Sequence, residues 1–128
     1  MSEERFSITN KTKSTVPSVP FAKMKDASLG RDYSLSLVFV GERRSKALNS
    51  SYRGKNKSTN ILSFTLDKKH GEIFITPKVL ERQVRKFGRN YKNLVAFLFI
   101  HGLMHLKGME HGSTMDKAEE KLRKKFGV

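Results

Sequence analysis

The segment around which we expect this chain to fold is His101-Gly102-Leu103-Met104-His105-Leu106-Lys107-Gly108-Met109-Glu110-His111. It contains three of the four histidines of the protein, and the apolar run at residues 94–100 leads directly into it. Because His101 and His105 are four residues apart, they lie on one face of an α-helix, with Cβ atoms about 5–6 Å apart. From that face two imidazoles can converge on one metal ion.

His111 reaches the same ion only if the helix ends before it. In a continuing helix it would lie roughly 9 Å beyond His105, on another face. Gly108 removes this difficulty, because glycine readily adopts the left-handed conformation that ends a helix and lets the chain turn back. Three protein ligands with an open fourth position are typical of a catalytic zinc site. The alternative is that these histidines are hydrogen-bonded core residues without a metal.

The spacing HxxxHxxGxxH is that of the metzincin proteases, with one difference. The second position of the protease motif is Glu, the general base that activates water on the metal. Here that position is Gly102, which cannot take a proton. The motif therefore predicts the metal ligands of this class without its peptidase base.

Composition limits the class of protein. A chain of 128 residues suits one domain, residues 1–128, with a hydrophobic core. It has no cysteine, which excludes disulfides and thiolate metal sites, so any metal must be held by His and carboxylates. Residues 1–5 are polar and acidic, unlike a signal peptide, and no apolar run approaches the roughly 20 residues of a membrane span. We therefore expect a cytoplasmic protein with no membrane partner.

The charge of the chain is strongly positive. Lys and Arg total 26 against 12 acidic residues, a net charge of +14. For a domain of this size the excess favours a polyanionic partner, most simply nucleic acid. The alternative is a charged surface that serves only solubility.

Hydrophobic periodicity and turn residues predict an α+β fold, with one sheet of about four strands and helices packed on it. The predicted strands are residues 6–9, 33–40, 59–66 and 72–76, the last two forming a hairpin. The first predicted helix is weak; it begins after Pro17 or Pro20 and ends near residue 26. The second runs from residue 42 to about 52 and has Ala47 and Leu48 toward the core. The others are 77–87, 91–107 and a last helix to about 126 that is capped by Ser113 or Thr114. The helix at 91–107 is apolar nearly all round, so it should be central.

A second segment, residues 48–64, reads LNSSYRGKNKSTNILSF. Taken together with the histidine segment, it resembles the YbeY family of bacterial endoribonucleases, which act in rRNA maturation. The family patterns are approximately HGxLHLxGYDH, matched here by HGLMHLKGMEH, and LNxxYRGKDxxTDVLSF. GEIFIT resembles the GDIxI strand of the family, and the likeness covers about residues 31–111.

The resemblance implies one zinc ion per chain on His101, His105 and His111, and a functional arginine at Arg53. It implies a metzincin-like α+β fold with a mixed sheet. It also implies a single-strand-specific endoribonuclease that acts on rRNA with the ribosome, in processing of the small-subunit rRNA end and in ribosome quality control. The chain departs from the family patterns at Asn56, Asn60, Met109, Glu110 and Lys121.

The chemistry suits these residue types. A phosphodiester gathers negative charge on its phosphoryl oxygens in the transition state, which a zinc ion and a planar guanidinium can both stabilise. Arg53 would then bind the scissile phosphate, and Lys55 and Lys57 the flanking backbone, unless the two lysines only solvate the loop. Glu110 is either a hydrogen-bond partner of a ligand imidazole or a surface residue. The run Arg123-Lys124-Lys125 either complements the end of its helix or faces RNA.

The general base is missing from the motif, and two routes stay open: attack by water or attack by the ribose 2′-hydroxyl. Two other functions also remain. One is a metalloprotease or another metal-dependent hydrolase, which Gly102 disfavours. The other is a non-catalytic RNA-binding or ribosome-binding factor in which zinc is structural.

Overall fold

The structure, a computed structural model, describes residues 5–109 and 112–128. These ranges contain four strands and five helices. In chain order they are β1 (Phe6–Asn10), α1 (Phe21–Leu29), β2 (Ser34–Phe39), α2 (Glu42–Arg53), β3 (Ile61–Asp67), β4 (His70–Ile75), α3 (Pro77–Phe87), α4 (Tyr91–Leu106) and α5 (Ser113–Phe126).

The four strands form one mixed sheet in the order β1-β2-β4-β3. Strands β1, β2 and β4 run parallel, and β3 pairs antiparallel with β4 as the predicted hairpin. The predicted α+β class and the four-stranded mixed sheet are therefore confirmed. Because β3 lies at the edge of the sheet, it has β4 as its single neighbour and can border a cavity on its other side.

Helix α4 lies at the centre of the molecule, as its apolar sequence predicts. It contacts β3, β4, α1, α3 and α5. Leu94, Val95, Phe99, Ile100 and Leu103 are completely buried. The Phe99 ring packs edge-on against Phe21 of α1, with centroids 5.0 Å apart. Burial of apolar surface on every side of this helix supplies the main force that holds the helices on the sheet.

Helix α4 packs closely on β3 and β4 at Gly102. A Cβ atom built on this glycine would lie 2.9 Å from Ser63 Oγ, 3.0 Å from Ile61 Cδ1 and 3.1 Å from Ile73 Cδ1. The glycine is therefore a packing residue that lets the helix approach the sheet. This gives a structural reason for the absence of a side chain at the position of the peptidase base.

Helix α4 ends at Leu106, just before Gly108, as the sequence predicts. Gly108 has φ of 90°, its N–H donates to the carbonyl of His105 at 2.9 Å, and the N–H of Met109 donates to the carbonyl of Met104 at 3.1 Å. This pair of bonds is the Schellman arrangement, in which a glycine in the left-handed region turns the chain away from the helix axis. The predicted end of the helix after His105 is thus confirmed. The predicted return of the chain toward the histidine pair involves Glu110 and His111, which lie outside the described residues.

Two local predictions are wrong. Ala47 is exposed, and α2 instead buries Ser45 and Asn49 beside Leu48. The Ser45 hydroxyl donates to the carbonyl of Thr59 at 3.1 Å and accepts from its N–H at 3.0 Å, so a polar residue occupies the inward position. At the start of α5 the capping position is Gly112, with no side-chain cap, so neither of the predicted capping residues serves there.

Among the described residues, none of the helices is both long enough and apolar enough to cross a membrane.

Substitution of Gly102 by valine tests the packing role. We expect Gly102→Val to lower the free energy of unfolding by about 1–3 kcal/mol, because overpacking forces neighbouring side chains from their positions. Lys92→Val, at an exposed position of the same helix, controls for the presence of a β-branched residue in α4 and should cost a few tenths of a kcal/mol. Equal midpoints in urea unfolding for the two variants would contradict the role given to Gly102.

Candidate metal centre and cavity

The side chains of His101 and His105 converge at the C-terminal end of α4. Their Nε2 atoms lie 3.0 Å apart. The two rings are nearly perpendicular, at 87°, with centroids separated by 4.5 Å. Since the residues are one helical turn apart, this convergence follows from helix geometry together with the choice of ring orientation. Both ring edges that carry Nε2 therefore point at one small volume.

This arrangement fits a zinc ion. Two nitrogens bound to one tetrahedral zinc at about 2.0–2.1 Å would lie about 3.3 Å from each other, close to the separation seen here. Two imidazoles are also a donor set that zinc prefers. Within residues 5–109 and 112–128 no group of three or more potential ligands comes together, and the predicted third ligand, His111, is outside these ranges.

Glu119 of α5 holds the ring of His101 from behind. This buried side chain accepts a hydrogen bond from His101 Nδ1 through its Oε1. A carboxylate only accepts, so the proton of the neutral ring belongs on Nδ1 and the lone pair on Nε2. A histidine that binds a metal through one nitrogen commonly donates from the other to a carboxylate, which fixes its tautomer and orientation. Glu119 therefore fits the role of hydrogen-bond partner to a ligand imidazole. The sequence suggested Glu110 for this role, with a surface position as the alternative.

The imidazole pair faces a cavity of about 650 Å³. Residues of α2, β3, α3, α4 and α5 and the loop before β3 form its walls. They are Arg53, Thr59, Asn60, Ile61, Ser63, Phe87, Phe97, Leu98, His101, Gly102, His105 and Glu119. The cavity combines cationic, hydroxyl, amide and aromatic groups around the two histidines, which suits a polar and partly aromatic ligand such as a nucleotide chain.

Arg53 reaches the cavity from the last residue of α2. Gly54 follows it in the left-handed conformation, with φ of 67°, and ends the helix. The side chain of Asn49 donates to the carbonyl of Lys57 at 2.9 Å, which ties the following loop back to α2. The structure thus brings Arg53 and the imidazole pair to one cavity. Lys55 and Lys57 are exposed in that loop and are not among the residues that line the cavity.

Sequence reasoning missed Glu119 and the two phenylalanines of the cavity. The sequence does indicate that Glu119 faces inward, because its position fits the buried face of a helix. The residues at this spacing are Met115, Ala118, Glu119 and Leu122. Phe87 and Phe97 read only as apolar residues of α3 and α4. The fourth histidine, His70, does not line the cavity and pairs with Asp67 at the hairpin turn, with 2.7 Å between Nδ1 and Oδ1.

The fold and the cavity define a small basic α+β protein in which a converging histidine pair and an arginine share one cavity. A sequence profile of the family described as "Endoribonuclease YbeY" matches residues 1–127. The chain belongs to this family.

Individual relatives carry the name of the same family. Proteins named "Endoribonuclease YbeY" from Bdellovibrio bacteriovorus and Thermodesulfovibrio yellowstonii are 35% and 36% identical to this chain. These matches cover 67% and 70% of the chain but only 59% and 60% of the relatives. The chain therefore matches less than two thirds of the length of these two proteins. A relative of the same name from Desulforamulus reducens is 27% identical over 98% of this chain and 94% of its own.

A solved structure shares the fold. The solution structure of TM1509 from Thermotoga maritima superimposes with a TM-score of 0.66 and covers 95% of this chain and 89% of its own. At 22% sequence identity this likeness shows the fold alone.

Replacement of Glu119 by glutamine tests the support given to His101. We expect Glu119→Gln to weaken zinc binding about 10–100-fold, because the ring loses the charged acceptor that fixes its tautomer. Glu120→Gln is the matched control, since Glu120 is exposed and pairs with Lys124 at 3.2 Å. Zinc affinity is measured by competition with a chromophoric chelator. Equal zinc affinities for the two variants would contradict a role of Glu119 in metal binding.

Proposed function

We propose that this protein is a zinc-dependent endoribonuclease that cleaves single-stranded RNA. The observation that carries the proposal is the shared cavity of Arg53 and the converging Nε2 atoms of His101 and His105, in a chain of the YbeY family. A bound zinc ion would supply Lewis acidity toward a phosphoryl oxygen and toward water. His101, His105 and His111 would hold it.

Arg53 would bind the scissile phosphate. Its planar, permanently charged guanidinium matches two phosphate oxygens at once and stabilises the charge that grows on them in the transition state. The side chain extends from a helix end that Gly54 and Asn49 anchor, while the residue itself is exposed. The backbone anchor limits the volume that the guanidinium can search and leaves the side chain free to meet a long substrate.

The proton acceptor for the reaction does not come from the motif position, because Gly102 packs directly on β3. Glu119 is the carboxylate among the described residues that line the cavity, and it already accepts from His101 while Arg123 lies 3.5 Å away. One oxygen of Glu119 faces His101 and the other faces Arg123, so neither is directed at an attacking group. The attacking group therefore depends on the metal for its activation, whether it is water or the ribose 2′-hydroxyl.

The physiological substrate we propose is rRNA, processed at the small-subunit end in the cytoplasm and in association with the ribosome. Two observations support it: the family to which the chain belongs and the net charge of +14, which suits a dense polyanion. Lys55 and Lys57 are exposed beside Arg53 in sequence and would contact the RNA backbone on either side of the cavity.

Alanine substitution of Arg53 tests the mechanism. We expect Arg53→Ala to lower the rate of RNA cleavage by about 10²–10³-fold, the usual effect of removing one transition-state donor, with zinc content unchanged. Arg43→Ala removes the same charge from an exposed position of α2 that does not line the cavity, and it should retain near-normal activity. Cleavage is followed on a labelled single-stranded RNA. Undiminished cleavage by Arg53→Ala would exclude Arg53 from the mechanism.

The products of the same reaction identify the attacking group. A 5′-phosphate on the downstream fragment shows attack by water, and a 2′,3′-cyclic phosphate on the upstream fragment shows attack by the ribose hydroxyl. Absence of any zinc-dependent cleavage, in a protein that retains RNA binding, would instead support a binding factor.

A further inference from the structure

Two arginines meet at one phenylalanine beside the cavity. Arg89 lies in the short link between α3 and α4, Phe97 on α4 and Arg123 on α5. The guanidinium carbons of Arg89 and Arg123 lie 4.1 Å and 5.3 Å from the centroid of the Phe97 ring. Phe97 itself lines the cavity together with Phe87, and their ring centroids are 6.0 Å apart.

Positive charge is in excess at this cluster. Arg89 donates to the neutral side-chain oxygen of Asn93, and no carboxylate of the described residues pairs with it. Arg123 has Glu119 at 3.5 Å, but the other oxygen of that carboxylate accepts from His101. Burial lowers the pKa of Arg89, and the nearby charge of Arg123 lowers it further. Arginine nonetheless stays charged at neutral pH. Two like charges therefore lie at one ring, and the carboxylate nearest to them, Glu119, contacts Arg123 and His101 but not Arg89.

We propose that Arg89 and Arg123 form a subsite for a backbone phosphate of single-stranded RNA, adjacent to the phosphodiester that lies at His101 and His105. The proposal rests on the endoribonuclease function proposed above. A phosphate would neutralise the paired guanidinium groups, which are the side chains best shaped to bind its oxygens. Phe87 is half-buried and lines the cavity, so its ring is an aromatic group on which the base of the same nucleotide can stack.

The position of the subsite follows from Glu119. One oxygen of this carboxylate contacts the ring of His101 and the other lies near Arg123, so a single side chain separates the cluster from the imidazole pair. Arg53 provides a further cation at the cavity wall formed by α2 and β3. A cation in the cavity wall and two more beside the cavity, behind Phe97, suit a chain of phosphates better than a single small anion.

Removal of the Arg89 charge tests the proposal. The full-length, zinc-containing protein is titrated with a fluorescent single-stranded 2′-O-methyl phosphorothioate oligoribonucleotide, which resists both cleavage routes, at several salt concentrations. Arg89→Gln should weaken binding about tenfold, as expected for the loss of a charged hydrogen bond. It should also reduce the slope of log affinity against log salt concentration by about 0.7, the contribution of one phosphate contact on a single strand.

Matched variants separate a contact from general charge. Arg85→Gln removes one charge from an exposed position of α3 and should leave the affinity and the slope close to those of the wild type. Arg89→Lys should restore most of the slope but less of the affinity, because lysine keeps the charge without the planar fork. A partly unfolded sample lowers the amount of binding-competent protein and leaves the slope unchanged, so the slope also excludes simple destabilisation.

The outcomes distinguish the two proposals. If Arg89→Gln behaves like Arg85→Gln while the wild type binds and cleaves RNA, the subsite is overturned and the endoribonuclease function stands. If the wild type neither binds nor cleaves single-stranded RNA, both are overturned. A reduced slope in Arg89→Gln, with the Arg85→Gln slope intact, supports the subsite.

Discussion

The need to bury helix α4 on nearly all sides sets the arrangement of this protein. An amphipathic helix would need one partner layer, whereas α4 requires the sheet on one side and α1, α3 and α5 around the rest. The two histidines lie in its last two turns, where the buried helix meets the cavity. Their backbone is therefore fixed by the core, and the convergence of their rings depends on packing that extends through the whole molecule.

Helix α5 contributes a polar contact that links the site to the outer layer. Glu119 lies on the inward face of this helix, and its desolvation is compensated by His101 and Arg123. The contact joins the imidazole pair to the Arg89 and Arg123 cluster through one side chain. A change in how α5 sits on α4 would thus alter the orientation of an imidazole and the position of a cation together.

Much of the fold could be predicted because local signals agreed with the final packing. Pro77 and Gly88 delimit α3, and Gly108 ends α4, since proline fixes the φ suited to a first helical turn and glycine adopts the left-handed conformation that ends a helix. The prediction that Ala47 faces the core was wrong because a hydrophobicity pattern does not show when a serine or asparagine is buried and hydrogen-bonded to a loop. Helix α5 carries three acidic residues, and only the tertiary structure shows which of them meets His101. The third histidine and the metal remain predictions, since residues 110 and 111 lie outside the described ranges.

The close approach at Gly102 has an evolutionary consequence. A glycine codon is one nucleotide change from a glutamate codon, so the residue that serves the metzincin proteases as a base is genetically within easy reach. A Cβ atom at this position would crowd the side chains of Ser63, Ile61 and Ile73, so these side chains or the strands that carry them would have to move. A change from glycine to glutamate would therefore need accompanying changes in those neighbours. Tight packing at one glycine thus limits which side chains evolution can place at this position of the motif.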